Sequence, residues 1–465
     1  MIVPSNRLLL WVAVVVLPFA LLGSVESSAT TVSLLAVGAL VALAVADAFG
    51  ASRSLAGISL ALPEVTRMSK GRETKLEVRI RNKLQKPRTL RLALAMPRQI
   101  QSPQEEAFVA LPRGSEWSRL AWVCLPGQRG RFQVESARLE AASPLGFWAF
   151  RKTVPARSEV RIYPNLFAER RNLAALFLHR GAFGLHAQRQ LGKGRDFEKL
   201  REYNPGDSFD EIHWKATARR GHPITKVFQI ERTQEIYVVI DASRLTGRSA
   251  ESPALAALGE PAVPTDSFQT STPRAQSESI LERFLTAALV LGLAAEQQGD
   301  LFGVLAFTDK VGTFVRAKNG KAHYSACRDA LYALQPQIVT PDYDEVFTFI
   351  RLRLRRRALL LVLTALDDPV LAESFVRNMD LVRRQHLVLV NMLQPPGVAP
   401  FFSDPNVAQV DDLYQQLGGQ LLWHKLRELE KVLQRRGVRF SLLKNERLSA
   451  ELVSQYLSVK QRQLL

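Results

Sequence analysis

EIYVVIDASRL, residues 235–245, decides how the second half of the chain reads. Its first six residues are almost all apolar, with no alternation, as in a strand buried on both faces. It then stops on Asp241 and enters a small polar turn. Further segments repeat the theme. ILERFLTAALVLGLAAEQQ (280–298) reads as a long, largely buried helix, and Glu282 and Arg283 argue against a membrane span there. LFGVLAFT and GTFVRA read as strands joined through a turn at 309–312, HYSACRDALYALQ and DEVFTFIRLRLRRR as helices, and ALLLVLTAL as a continuous apolar strand. A helix, the strand HLVLVNML, a helix around 421–436, the strand VRFSLL and a last helix follow. Apolar strands alternating with helices predict a doubly wound α/β domain over 233–465.

Ligands of such sheets bind beyond the carboxyl ends of the strands. There the sequence offers Asp241 and Ser243 from DASRL, Thr340 from QIVTPDYDE, and Asp367 from TALDDP. These are hard oxygen donors, a set that suits Mg2+ with several retained waters. Residues 244–279, rich in Ser, Thr, Pro and Ala, read as a disordered insertion directly after Asp241.

Ahead of this domain, REYNPGDSFDEIHWKATARRG (201–221) concentrates charge, aromatics and two histidines. Asn-Pro-Gly-Asp (204–207) is a turn, and 208–221 has helix character, with Asp207 or Ser208 as its cap and Gly221 as its stop. Trp214 is expected to anchor that helix on the core. Arg201, Glu202, Asp207 and Lys215 are expected to form an ion-pair network. With Tyr203 and Arg219 they make an interdomain clamp, or a face that docks a partner, and the two roles are compatible.

Residues 58–165 differ. TKLEVRIRN, RTLRLALAM, SRLAWVCL and GRFQVESARLEA alternate with period two, which predicts a β-sandwich. The aromatics of SPLGFWAF (143–150) are expected to cap its core. Residues 1–52 hold two apolar runs, 8–23 and 32–50, each near the roughly 20 residues that cross a bilayer as a helix. Arg7 precedes the pair, and Arg53, Arg67 and Lys70 follow it, while the link between the runs has no Lys or Arg. The positive-inside rule places both termini of this transmembrane hairpin in the cytoplasm. Asp47 is expected only to reach the headgroups. The formal charge of +18 suits an anionic neighbour, and the inner leaflet supplies one without nucleic acid. The two cysteines, Cys124 and Cys327, are far apart and read as idle thiols.

Together FEKLREYNPGDSFDEIHWKATAR (197–219) and the strand ending in DASRL resemble the bacterial domain-of-unknown-function 58 family. Asp241, Ser243, Thr340 and Asp367 resemble the metal-ion-dependent adhesion site of von Willebrand factor A-like domains. The resemblance implies a multidomain protein of the bacterial inner membrane: transmembrane hairpin, β-sandwich, signature segment (190–232), then an A-like domain. It implies joint work with a MoxR-type AAA ATPase in assembling or maturing other complexes. Two positions depart from the pattern. Leu245 replaces the second Ser of D-x-S-x-S and removes a hydroxyl ligand, and Asp210 stands where relatives commonly carry Arg. The expectation is a non-enzymatic scaffold or adaptor that binds a protein partner. The alternatives are a hydrolase, with His213 or His222 as base and Asp207 or Asp241 as orienter, or a nucleic-acid binder through RLRLRRR (351–357). No G-x-S-x-G or H-E-x-x-H motif supports the first. RLRLRRR lies at a helix C-terminus, where cations are favoured anyway.

Overall fold

A computed structural model of the chain describes residues 1–25, 30–51, 53–167, 169, 191–205, 208–229, 234–250, 278–400 and 410–462. They divide into two compact units, Met1–Asn165 and Leu166–Leu465.

The first unit starts with a short strand, β1 (Ile2–Pro4). A helix over Asn6–Trp11 then widens into a π turn at Val12–Val16 before continuing as Leu17–Val25. The widening has a local cause. Pro18 has no N–H to give the preceding turn and its ring crowds the carbonyl four residues back. A second helix spans Thr30–Ala51. Its stretch Thr30–Gly50, with mean hydropathy 2.3, is long and apolar enough to cross a membrane, and Asn6–Leu22 is a shorter apolar helix.

The alternating segments form strands as their period requires. In order they are β2 (Ile58–Ala61), β3 (Val65–Ser69), β4 (Thr74–Asn82), β5 (Arg88–Leu94), β6 (Ile100–Gln101), β7 (Ala107–Leu111), β8 (Trp117–Pro126), β9 (Gly130–Ala142) and β10 (Trp148–Tyr163). One sheet runs β1-β10-β9-β5-β7, with β3 also on β10, and a second runs β2-β4-β8-β6. Every second residue of β4 points inward: Leu76, Val78 and Ile80 are fully buried. They share one core with Leu90, Leu92, Val134 and Val160 of the other sheet.

Asp47 does not behave as expected. It is only 3% exposed and accepts hydrogen bonds from Ser143 Oγ, Leu145 N and Phe147 N. Trp148, expected to cap the core, donates its indole N–H to the carbonyl of Ala44 at 2.7 Å. The turn therefore ties the apolar helix to the sheet.

In the second unit, β11 (Leu191–Glu202) pairs antiparallel with β12 (Ile224–Gln229). The main sheet is built from β13 (Glu235–Asp241), β14 (Leu301–Phe307), β15 (Val311–Lys318), β16 (Leu359–Leu363), β17 (Leu387–Leu393) and β18 (Arg439–Leu443). Its order is β15-β14-β13-β16-β17-β18, parallel except for the β14–β15 hairpin. Both faces are covered, which is why the strands read as continuous apolar runs. The helices Ile280–Gln297 and Leu448–Gln461 cover one face. Tyr343–Arg353, Pro369–Asn378 and Val410–Arg435 cover the other.

That last helix begins well before the expected 421. The Gly418-Gly419 pair reads as a break, yet packing requires it: a Cβ on Gly419 would sit 2.0 Å from the carbonyl oxygen of Gly397. The ends of the expected insertion depart from their reading as disordered. Arg244–Gly247 forms a 3₁₀ turn and Ser249 bridges to Ser279, so both ends of 244–279 are built into the fold. Residues 251–277 lie outside the described residues.

Candidate functional site

From β13 the chain steps to β14 on one side and later returns to β16 on the other. The strand order thus reverses at β13, and the crevice between the ends of β13 and β16 is the position where such sheets bind ligands. Asp241 closes β13 there and is fully buried. Its Oδ1 accepts the Ser243 N–H at 2.8 Å and its Oδ2 accepts the Thr364 hydroxyl at 2.7 Å. Thr364, just past β16, also shares a hydrogen bond of 3.0 Å with the hydroxyl of buried Tyr343. Burial raises the Asp241 pKa, and the bonds from Thr364 and Ser243 oppose the rise. The Tyr343 hydroxyl is pushed up as well, by burial first and then by the carboxylates of Asp241, Asp367 and Asp368. Three acids therefore face the region around this ring.

The remaining predicted donors come to the same end of the sheet but are engaged within the chain. Ser243 caps the 3₁₀ turn, its Oγ accepting the Leu245 N–H. Leu245 is 1% exposed and packs in the interior. Thr340 is exposed, and its hydroxyl receives Arg244 Nε at 3.5 Å. The Asp367 carboxylate is gripped by both terminal nitrogens of Arg248, at 2.5 and 3.4 Å. Asp368 caps the following helix through the N–H groups of Val370 and Leu371.

As placed, these donors do not fit Mg2+, which takes near-octahedral oxygen ligation at about 2.1 Å. Both oxygens of Asp241 are committed to protein donors, and a guanidinium holds Asp367. Among the described residues no group of three or more His, Cys, Asp or Glu could hold a metal ion. Sequence reading missed Thr364, Tyr343 and Arg248. Thr364 was visible as the residue that ends the apolar run of β16. Nothing in the sequence marked Arg248, because it lay within the segment read as disordered.

The signature segment is a β11–β12 hairpin with a compact excursion between its strands. Its helix is shorter than expected, Trp214–Arg220. Phe209–Glu211 instead forms a 3₁₀ turn, since Ile212 is drawn into a bridge with Thr225. The cap is neither Asp207 nor Ser208: His213 Nδ1 accepts the Ala216 N–H at 3.0 Å. That use of the ring leaves His213 poorly placed as a base. Gly221 ends the helix with φ of 74°, as expected.

Trp214 is 68% exposed and does not anchor this helix. Ile212 does so, at 6% exposure, beside buried Ile224 and Thr225. Phe209 is 73% exposed, and its ring lies 6.1 Å from that of Tyr203. Of the expected ion-pair network, Arg201, Glu202 and Lys215 lie among the described residues. Arg201 donates to the Glu202 carbonyl, and Glu202 lies 3.4 Å from His222 Nε2. Lys215 and Arg219 are exposed on the helix, and Asp207 lies outside the described residues. Of the alternative nucleic-acid stretch, Arg353 stacks over Phe349 and Arg356 pairs with Glu235. Cys124 and Cys327 are both buried, and burial pushes the Cys327 thiol up to about 12.

A doubly wound α/β unit with an aspartate-centred crevice at its strand ends, preceded by a hairpin with exposed aromatics, defines the class of protein. The family model described as protein of unknown function DUF58 matches residues 199–252 and 262–399 of the chain. No curated protein matches. Among solved structures the chain is similar to the VWA domain of SpRpn10 at 8% identity, covering 48% of this chain and 95% of that one with a TM-score of 0.27. It is similar to the conserved hypothetical protein BatB from Bacteroides thetaiotaomicron at 12% identity, covering 49% and 99% with a TM-score of 0.28. An aerotolerance-related membrane protein from Bacteroides fragilis matches at 11% identity, covering 48% and 97% with a TM-score of 0.25.

Proposed function

We propose that this chain is a membrane-anchored, non-enzymatic scaffold or adaptor that holds a protein partner through its von Willebrand factor A-like α/β domain and the signature hairpin ahead of it. The partner we favour is a MoxR-type AAA ATPase, acting with it in the assembly or maturation of other complexes. The observation that carries this reading is the exposure of Phe209 and Trp214 on one excursion of the signature hairpin, at 73% and 68%. Large aromatics held out of the core on a small, hydrogen-bonded motif are the residue types that anchor protein interfaces. The crevice chemistry agrees with a binding role. Ser243 Oγ accepts a backbone N–H and caps a turn, which is not the arrangement of an activated nucleophile.

In this reading the apolar helices are a transmembrane hairpin of the bacterial inner membrane, and a β-sandwich module follows it. Supporting this, the strands on either side of the helices, β1 and β2, both belong to the sheets of the first unit. The chain thus leaves and re-enters the sheets around the helix pair, which suits termini on one side, the cytoplasmic one. The experiment is affinity capture of the full chain from mildly solubilised membranes. Wild type is compared with Asp241→Ala and with Phe209→Ala/Trp214→Ala. The reading expects a MoxR-type ATPase with wild type and at least tenfold less with the aromatic double variant, which keeps its fold because both side chains are exposed. Equal capture by all three chains would rule out both surfaces.

A further inference from the structure

We infer that the crevice at the ends of β13 and β16 carries its own cation: the guanidinium of Arg248 holds the place of a divalent ion, so the site works without metal. Four observations lead there. The donors that point to a metal are Asp241, Ser243, Thr340 and Asp367, and each already has a partner from the protein. Leu245, where the resemblance leads one to expect a hydroxyl, is buried at 1% exposure. The Asp367 side chain is only 16% exposed, and Arg248 meets both of its oxygens. A two-pronged guanidinium–carboxylate contact is the strongest geometry such a pair can take.

The fourth observation is that Arg248 is placed by the backbone rather than by chance of rotamer. Its carbonyl accepts the Ile280 N–H at 2.9 Å, and two residues on the Ala250 N–H reaches the Glu278 carbonyl at 2.8 Å. These bonds fix the start of the 244–279 segment against the helix Ile280–Gln297. Arg248 and Asp367 also line one pocket with Phe284, Met392 and Pro395, so apolar walls flank the ion pair. A partly desolvated carboxylate needs a cation close by, and here the chain supplies it. The apolar side chain at 245 and the guanidinium on Asp367 thus both disfavour a metal ion in this crevice.

The inference concerns the crevice that the proposed scaffold reading also probes with Asp241→Ala, but its test needs no partner, so either can fail without the other. Mn2+ is titrated into the full chain in detergent and free Mn2+ is read by electron paramagnetic resonance. Five chains are compared: wild type, Asp367→Asn, Arg248→Ala, Arg248→Lys and Arg248→Ala/Asp367→Asn. Wild type and Asp367→Asn are expected to show the same background binding. Arg248→Ala should bind at least tenfold more tightly than wild type at one added site, and the double variant should return to background. Arg248 is half exposed, and Arg248→Lys, which keeps a cation there, should match wild type. Wild-type binding that Asp367→Asn abolishes would overturn the inference, as would an Arg248→Ala chain that gains no site.

Discussion

Ser143 Oγ donates to Asp47 Oδ2 at 2.5 Å across 96 residues of sequence, and so joins the end of an apolar helix to a turn of the sheet. The same carboxylate accepts the N–H groups of Leu145 at 2.9 Å and Phe147 at 3.1 Å. Asp47→Leu would leave three donors without an acceptor in a buried place. A loss of about 2–5 kcal/mol is expected, since each stranded buried donor costs roughly 1–3 kcal/mol and the costs overlap. Thermal unfolding of the full chain in detergent reads the loss, and limited proteolysis should cut first near 143–147. Unchanged melting and cleavage would show that the turn stands without Asp47.

Asp241 has its pKa raised by burial above the usual 3.8. Between the unfolded and folded values, the folded state keeps a proton that the unfolded chain has released. Stability from this group is therefore greatest below that window and falls as pH rises through it. Asp241→Asn keeps an acceptor for Ser243 N–H and removes the titration. Its stability should vary less with pH above about 4 than that of wild type, in denaturant titrations across pH. Asp241→Ala should instead cost about 1–3 kcal/mol at neutral pH, because the Ser243 N–H and the Thr364 hydroxyl lose their acceptor.

His386 is 3% exposed, and among the described residues neither ring nitrogen has a hydrogen-bond partner. Burial lowers its pKa from 6.5 to about 4. Here the unfolded chain takes up the proton first. Stability is full above the unfolded value and falls as pH drops from 6.5 toward 4, by about 3 kcal/mol at most. His386→Leu should remove that acid loss while remaining close to wild type at pH 7.5, roughly within 1 kcal/mol. An identical acid limb in both chains would place the titrating group elsewhere.

Gly303 lies in β14 where a Cβ would come within 2.5 Å of Tyr237 Cε1 and 2.8 Å of the Ala317 nitrogen. The Tyr237 hydroxyl accepts the Ala317 N–H at 3.1 Å, so the ring cannot move aside without breaking that bond. Gly303→Ala should destabilise the second unit by about 2–4 kcal/mol, from overpacking and the lost hydrogen bond. The shift in denaturant midpoint checks this. A loss under about 1 kcal/mol would mean that the ring finds another place.

Much of this protein follows from its sequence alone, because periodicity reports burial directly. β4 and β9 alternate and are half-buried, while β13, β16 and β17 do not alternate and are buried on both faces. From those patterns come the α/β order, the strand-end position of Asp241, Ser243, Thr340 and Asp367, and the two apolar N-terminal segments. What the tertiary structure alone decided is who partners each polar group. Asp47 found Ser143, Asp241 found Thr364, and Asp367 found Arg248, across 96, 123 and 119 residues. Local pattern carries no trace of such pairings, since they depend on which loops the sheet order brings together. Trp214 shows the converse. Its neighbours give it a helix, as expected, but which side of that helix is buried was settled by Ile212 joining Thr225 in a bridge. An aromatic side chain carries the same hydrophobicity in a core as on a surface, so only the packing around it distinguishes a buried anchor from an exposed side chain.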